Sequence, residues 1–228
     1  MNNKKVAMIR SLQLKDYFKM SSIYLLLYVI VIACFSIYLA YEQGIAQVSF
    51  QADTFAIITK AFLFVIGIVN FKVTFNDYLV MGASRKEYLV GTLSAIVVLA
   101  LSFTILLTVI YLTMGFINNQ SVDISDTALL MIASLLLYYA YFVLGWFIGM
   151  CTTKYRIIGG AISIIMSGIS IAVMEVTTSI GFVSLVGEMD LTTPMSIPLG
   201  YNLLSTIIIS FLVTYFVYAK TKKIYFKL

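Results

Sequence analysis

The sequence has no histidine, two prolines, two cysteines and no recognisable catalytic motif. Without histidine, the commonest metal ligand and general base is missing. Cys34 and Cys151 lie within or at the end of long apolar runs, where cysteine acts as a small packing residue. No P-loop, HExxH or CxxC motif occurs, and no GxSxG motif is flanked by a usable base. We therefore expect that the chain is not an enzyme and that it holds no metal or cofactor itself.

Charge is also scarce. Only 11% of the residues are charged, whereas 61% are hydrophobic, and the mean hydropathy is +1.01. A chain this apolar needs lipid as its solvent. The apolar residues form long runs without alternation, which favours packed helices over a β-barrel. The first run is long enough to span a bilayer and is followed by no small-residue cleavage site, so we expect no cleavable signal peptide.

The fold predicted from these features is an all-α, polytopic protein of the cell membrane, typical of a bacterial plasma membrane. Fourteen of the fifteen basic residues fall in segments on one side of the predicted topology, and six of the ten acidic residues fall on the other. This asymmetry places both termini in the cytoplasm and explains the net charge of +5 without nucleic-acid binding. The six predicted spans are about 22–41, 55–73, 90–116, 127–150, 157–176 and 200–219.

Two segments outside the spans have mixed character. Residues 1–21 are predicted to form an amphipathic interfacial helix, with Val6, Ile9, Tyr17 and Met20 on the apolar side, although an unstructured basic tail is the alternative. Residues 177–199 are too polar to span and too apolar for a free loop. We expect an external hairpin of two short helices that dips into the outer leaflet.

Two charges fall inside predicted spans. Lys60 is the one basic residue outside the predicted cytoplasmic segments, and Glu175 lies in the fifth span. Intramembrane charges often mark functional sites, so the pair could line an outward cavity or bridge it. The favoured interpretation is simpler: both side chains reach the headgroups, with Lys60 directed towards Asp53. The GxxxG pattern at Gly145–Gly149 is interpreted as helix packing.

The segment Asn70–Thr92 is the most informative part of the chain. It separates two long apolar runs, carries both basic and acidic residues, and is interrupted at Gly82–Ser84. Ser84 is followed three residues later by Glu87, which fits a capping box. We predict a short helix at the membrane surface with a capped restart at Ser84. The alternative is an ordinary basic loop whose charges only fix the topology.

The order of these features resembles the membrane subunits of ABC-2-type exporters. The resemblance covers the whole chain in layout, but at residue level only the loop with Gly82, Ser84, Arg85 and Lys86. In size the chain is similar to the small permeases of Gram-positive peptide exporters and antimicrobial-peptide immunity systems. The resemblance implies an amphipathic or hydrophobic substrate, such as a peptide toxin, moved out of the cell or membrane.

The resemblance also implies partners. A separate ATPase subunit would bind ATP and Mg²⁺, and a second permease chain would meet this one through spans one and five. Residues 74–89 would form the coupling helix, in which Arg85 and Lys86 meet acidic groups while three apolar side chains are buried in the ATPase. The implied docking residues are Asp77, Tyr78, Leu79, Gly82, Ser84, Arg85, Lys86, Glu87 and Tyr88.

Two other functions remain open at the level of sequence. One is a substrate-capture subunit of an energy-coupled importer, which would lack a docking loop of its own. The other is a non-transporting membrane immunity or assembly protein that acts by binding alone. A docking element between spans two and three favours the exporter over the capture subunit, whereas the immunity or assembly protein predicts no substrate-stimulated ATPase activity in a reconstituted complex.

Overall fold

The structure, a computed structural model of the chain, describes residues 3–43, 52–117 and 124–185, together with 207–208, 211–215 and 219. These residues are almost entirely helical, so the prediction of an all-α fold is confirmed. The predicted hairpin at 177–199 lies outside the described residues from 186 onwards, and 177–185 are helical. The four long helices are α1 (Asn3–Gln43), α2 (Ala52–Val80), α3 (Arg85–Ile117) and α4 (Ile124–Leu185).

Four stretches of these helices are long and apolar enough to cross a membrane. They match the predicted second to fifth spans, and the chain is therefore a multi-pass membrane protein. The predicted first span lies within α1, whereas most of the predicted sixth span is outside the described residues. The described residues thus carry four candidate spans where the sequence predicts six: Thr54–Phe71, Arg85–Thr113, Thr127–Thr153 and Ile157–Met174.

Helix α4 folds back on itself between its two candidate spans. Residues eight apart on a straight helix are separated by about 12 Å, but a Cβ on Gly160 would lie 2.9 Å from Cγ2 of Thr152. Met174 shares a buried cluster with Leu137 and Tyr141, from the first half of the same helix. The boundaries of the predicted fourth and fifth spans imply a loop at 151–156. This prediction is wrong, because every residue there is helical. The change of direction expected of that loop is present.

Hydrogen bonds and glycines within α4 itself accompany the reversal. The Thr152 hydroxyl donates to the carbonyl of Ile148, and the Thr153 hydroxyl donates to that of Gly149. Such bonds back to the preceding turn are associated with bent helices, as are glycine pairs. Gly159 lies six residues after Thr153, and Gly160 follows it. The absence of side chains at these two positions lets the two halves of α4 approach each other.

Helices α2 and α4 pack closely through glycines. A Cβ on Gly145 would collide with the backbone carbonyl of Phe64, and a Cβ on Gly149 would lie 2.6 Å from the carbonyl oxygen of Ile68. Gly67, from the opposite helix, faces the carbonyl of Phe142 in the same way. The interpretation of the GxxxG pattern as packing is confirmed.

Helix α1 lies along α3 from its first turns. Ile9 is buried against Gly91, and Nε2 of Gln13 donates to Oγ1 of Thr92 at 2.9 Å. The structure therefore differs from the predicted interfacial helix that ends near residue 21, because one unbroken helix continues into the first span. The predicted helical character of 3–21 is confirmed. No glycine or proline occurs between residues 3 and 43, so nothing in the sequence ends the helix near residue 21.

Candidate functional site

The connection between α2 and α3 is a four-residue turn, Met81–Ser84. Gly82 has a φ of 77°, in the left-handed region that glycine occupies without a Cβ penalty. Its N–H donates to the carbonyl of Leu79, and the N–H of Ala83 donates to that of Tyr78, both at 3.0 Å. This pair of bonds is the Schellman arrangement that ends a helix. The C-terminus of α2 is therefore fixed by its own backbone.

The start of α3 is fixed equally well. The backbone N–H of Ser84 donates to Oε2 of Glu87 at 2.9 Å, and the N–H of Glu87 donates to Oγ of Ser84 at 3.3 Å. This reciprocal pair is a capping box. The predicted restart at Ser84 is confirmed, but the separate short surface helix is not found, because α2 continues to Val80 and α3 begins at Arg85. The segment is a two-helix hairpin with a rigid turn.

A buried polar cluster of Tyr17, Asn70, Thr74 and Tyr88 lies beneath this hairpin. Nδ2 of Asn70 donates to the Tyr17 hydroxyl. Oδ1 of Asn70 accepts from the Tyr88 hydroxyl at 3.0 Å and from that of Thr74 at 2.8 Å. The cluster joins α1, α2 and α3 through hydrogen bonds that a low-dielectric interior strengthens. Sequence reasoning missed it, although an asparagine at the end of an apolar span was a visible signal.

The N-terminal turn of α1 also contacts the hairpin. Nζ of Lys5 donates to the carbonyl oxygen of Gly82 at 2.8 Å. A cation at this position complements the negative end of the α2 dipole and satisfies a carbonyl of the turn. The turn is therefore held on three sides: by the end of α2, by the cap of α3, and by α1.

Three predicted docking residues lie inside the chain. Tyr88 is fully buried, with its ring 5.1 Å from that of Phe75 and 6.0 Å from that of Trp146. Tyr78 is only 7% exposed, and Leu79 is partly buried against the same core. The prediction that these side chains are buried in a partner is therefore wrong for Tyr78 and Tyr88, because this chain covers them itself: Tyr88 packs on Phe75 and Trp146, and Tyr78 packs on Tyr88. Glu87 is likewise buried, where it serves the cap.

The surface of the hairpin is formed by a different set of side chains. Val80 is 80% exposed and Met81 is 66% exposed, and both lie outside the candidate spans. Neither was among the predicted docking residues, although their position next to the helix-ending glycine could have indicated exposure. Arg85 is partly exposed. We call the exposed group the tip; its members are Asp77, Val80, Met81, Gly82, Ser84 and Lys86.

Electrostatics at the tip affect one titratable group directly beneath it. Burial raises the pKa of the Tyr78 phenol, and the negative charges of Asp16 and Asp77 raise it further. The phenol is therefore neutral at physiological pH. The tip as a whole combines an apolar pair with basic and acidic side chains on a fixed backbone, which is chemistry suited to binding another protein.

Of the two predicted intramembrane charges, Lys60 has a described side chain and Glu175 does not. Lys60 lies on α2 and lines a cavity of about 370 Å³ together with Ile57, Ala61 and Tyr141. Its Nζ is 5.9 Å from the centroid of the Tyr141 ring. Glu175 belongs to α4, but its side chain is outside the described residues. Lys60 therefore lines a cavity, while its pairing with Glu175 or Asp53 stays a prediction.

No protein-family model, no curated protein and no solved structure matches this chain. The residues that the structure describes give a helical protein with four candidate membrane spans. Any more specific function has to be argued from the tip, the cavity and the packing between helices.

Proposed function

We propose that the chain is the membrane subunit of an ATP-driven ABC exporter and that the tip docks a separate cytoplasmic ATPase. The observation that carries this proposal is the exposure of Val80 and Met81 on a turn whose backbone is fixed by caps on both sides. Exposed apolar side chains beyond the membrane spans have an unfavourable contact with water, which a partner would remove. A preorganised turn binds with less loss of conformational entropy than a flexible loop.

The charges beside the apolar pair define the partner surface. Val80 and Met81 would enter an apolar pocket of the ATPase, and methionine adapts well to such pockets. Arg85 and Lys86 would meet acidic groups at its rim, which favours association and orientation more than affinity. ATP and Mg²⁺ would be bound by the partner alone.

The proposed coupling follows from the continuity of the helices. A force on the tip acts directly on α2 and α3, because both helices meet in the four-residue turn. The polar cluster and Lys5 connect the same turn to α1, while the ring contacts of Trp146 connect it to α4. Movement of the ATPase would therefore reorient all four helices as linked rigid bodies.

The second half of α4 supports a partner in the membrane. Its inner face buries Ser163 and Ser167, whereas its outer face exposes large aliphatic side chains to lipid or to a second chain. We propose that this surface, with the first span, meets a second permease chain around a path for an amphipathic or hydrophobic peptide. Its exposed side chains include Ile158, Ile162, Ile165 and Ile169.

Co-purification with cytoplasmic ATPases tests the proposal. The variant expected to lose binding carries both Val80→Ser and Met81→Ser. It alters exposed side chains only and should leave the fold intact. The matched control is Phe116→Ser, which removes an equally exposed apolar side chain at the opposite end of α3. We expect an ATPase to bind the wild type and the control but not the double variant.

A second pair of variants separates charge from apolar contact. Arg85→Glu with Lys86→Glu reverses the rim charges and should weaken capture most strongly at low salt. If an ATPase binds all variants equally, the tip is not the docking element. If no ATPase binds a well-folded wild type, the exporter proposal fails and the binding-only functions gain support.

A further inference from the structure

Lys15 and Lys19 lie on the face of α1 that points away from the other helices. The opposite face of this segment is buried, with Gln13 bonded to α3 and Tyr17 bonded to Asn70 of α2. Each lysine is two residues from Tyr17, which corresponds to about 200° around a helix. Both lysine side chains are exposed, and one helical turn separates them. They therefore form one basic surface on the outside of the bundle.

Neither lysine has a partner among the residues that the structure describes. The two side chains form no hydrogen bond and no ion pair there, although Asp16 is their neighbour in sequence. The charge of Asp16 acts on the Tyr78 phenol of α2. Two further carboxylates described at this end are Asp77, which belongs to the tip, and Glu87, which caps α3. The two ammonium groups are therefore accessible to an external anion.

The two lysines lie at the level where one candidate span ends. Tyr17 bonds to Asn70, which is the next-to-last residue of the candidate span Thr54–Phe71. The lysines are two residues from Tyr17, or about 3 Å along the helix axis. Their ammonium groups are therefore close to the boundary between the hydrocarbon region and the headgroups. The predicted topology places this boundary in the cytoplasmic leaflet, which is the leaflet that carries anionic lipids.

An exposed aromatic side chain accompanies the lysines. Phe18 is 45% exposed and lies three residues after Lys15, so its ring is on the same face of the helix. An apolar ring at this depth can contact acyl chains while neighbouring ammonium groups contact phosphates. We call Lys15, Phe18 and Lys19 the outer patch of α1.

We propose that the outer patch binds anionic phospholipids of the cytoplasmic leaflet. The ammonium groups of Lys15 and Lys19 would donate to a lipid phosphate, while the Phe18 ring would lie against the first methylene groups of an acyl chain. Charge complementarity and depth together select this ligand over an acidic protein surface. The patch begins ten residues after Lys5, which bonds to the turn, and ten residues span about 15 Å of helix. It is thus closer to the headgroups than to a partner docked at the tip, and the inference is independent of the ATPase proposal.

Native mass spectrometry of the purified full-length chain tests this inference. Delipidated protein is titrated with phosphatidylglycerol or with phosphatidylcholine that has the same acyl chains. We expect tighter retention of phosphatidylglycerol. Lys15→Met and Lys19→Met should weaken that retention about fivefold each, which is the contribution of one basic residue near an anionic surface. The double variant should retain both lipids about equally, whereas Lys15→Arg with Lys19→Arg should behave like the wild type.

Controls separate the patch from general charge and fold effects. Lys86→Met removes one exposed positive charge from the tip, at the same end of the bundle, and should change lipid retention little. Phe18→Ser should weaken retention of both lipids without changing the preference between them. Free glycerol 3-phosphate at equal concentration should not displace phosphatidylglycerol, because it lacks acyl chains. All variants alter exposed side chains, so their melting temperatures in lipid-free detergent should agree.

Four results would overturn the proposal. Unchanged retention of phosphatidylglycerol by the double variant would show that the lysines do not bind the phosphate. An equal loss of retention in Lys86→Met would show a general effect of net charge. Displacement by glycerol 3-phosphate would identify a free phosphate compound as the ligand. A change in oligomeric state or in ATPase capture by the double variant, with lipid retention unchanged, would assign the outer patch to a protein partner.

Discussion

Single residues in the core of this protein have roles that the apolar pattern does not reveal. Asn70 is 5% exposed and bonds to three side chains: Tyr17, Thr74 and Tyr88. A buried donor or acceptor that loses its partner costs more free energy than the net value of the bond itself. The polar cluster should therefore contribute to the specific pairing of α1, α2 and α3.

Replacing Asn70 with alanine should lower the stability of the fold. Tyr17 and Tyr88 would lose a partner at a buried position, and we expect a loss of about 1–3 kcal/mol. Denaturant titration in detergent, followed by the fluorescence of the single Trp146, measures this change. Thr113→Val is the control, because that hydroxyl is exposed and bonds only within its own helix. Equal stability of Asn70→Ala and wild type would contradict the role of the cluster.

The raised pKa of the Tyr78 phenol predicts that the fold loses stability at alkaline pH. Its pKa in the folded chain is raised above the ordinary value of about 10 by burial and by nearby carboxylates. The unfolded chain therefore loses this proton first, so the contribution is complete below about pH 10 and falls as pH rises through the folded pKa. Melting curves of the wild type and Tyr78→Phe between about pH 8 and pH 11 should diverge above pH 10, with the variant less sensitive. Parallel curves would refute this linkage.

The residues predicted to dock a partner show the limit of single-sequence reasoning at this scale. The sequence resemblance predicts that Tyr78 and Tyr88 are buried in a partner, but this chain buries both of them in its own core. Trp146, which packs against Tyr88, lies in another predicted span. Periodicity identifies which side chains need cover, whereas the identity of the cover depends on tertiary packing.

At the scale of elements, the hairpin of α2 and α3 is defined by its termini. The capping box was predictable, because Ser84 and Glu87 act locally at a spacing of three residues. The continuation of α2 through Asp77 to Val80 was not predicted. Charged residues end the apolar run but they do not end a helix, and the break comes only at Gly82. The reversal of α4 was predicted from the break between two apolar runs, but the structure makes it within helical residues and not in a loop.

The left-handed glycine of the turn gives a matched test. Gly82→Ala places a Cβ where φ is 77°, so we expect a loss of about 1–2 kcal/mol even though the nearest atom is 4.0 Å away. Gly168→Ala is the control: a Cβ on this residue of α4 would meet no atom within 4 Å, and helix propensity favours alanine there by up to about 1 kcal/mol. Denaturant titration should move the two variants in opposite directions. A neutral Gly82→Ala would mean that the turn adopts another conformation.

At the scale of the whole molecule, packing brings basic residues from separate segments to one end of the bundle. The turn at 81–84 and the reversal of α4 lie at one end of the bundle, because Trp146 packs on Phe71 and Tyr88 shortly before α4 bends. Lys5, Arg85 and Lys86 belong to this end, and the predicted positive-inside topology places it in the cytoplasm. The topology stays a prediction, which charge bias supports because it acts on the chain as a whole. The contacts between the helices could not be predicted from the sequence.

Cysteine labelling tests this orientation. In a background with Cys34→Ala and Cys151→Ala, single cysteines replace the exposed Met81 or Phe116 at opposite ends of α3. In right-side-out vesicles, a membrane-impermeant maleimide should label Phe116→Cys at once and Met81→Cys only after permeabilisation. Labelling of Met81→Cys in intact vesicles would show that the predicted topology is inverted.

The most direct measurement of the central claim is photo-crosslinking from the tip in the native membrane. A photoreactive phenylalanine analogue replaces Met81 in one strain and Phe116 in another, at matched expression. We predict that an ABC-type ATPase is captured from position 81 and not from position 116. Failure to capture an ATPase from position 81, or equal capture from both positions, would contradict the proposal that this turn connects the membrane helices to an ATP-driven partner.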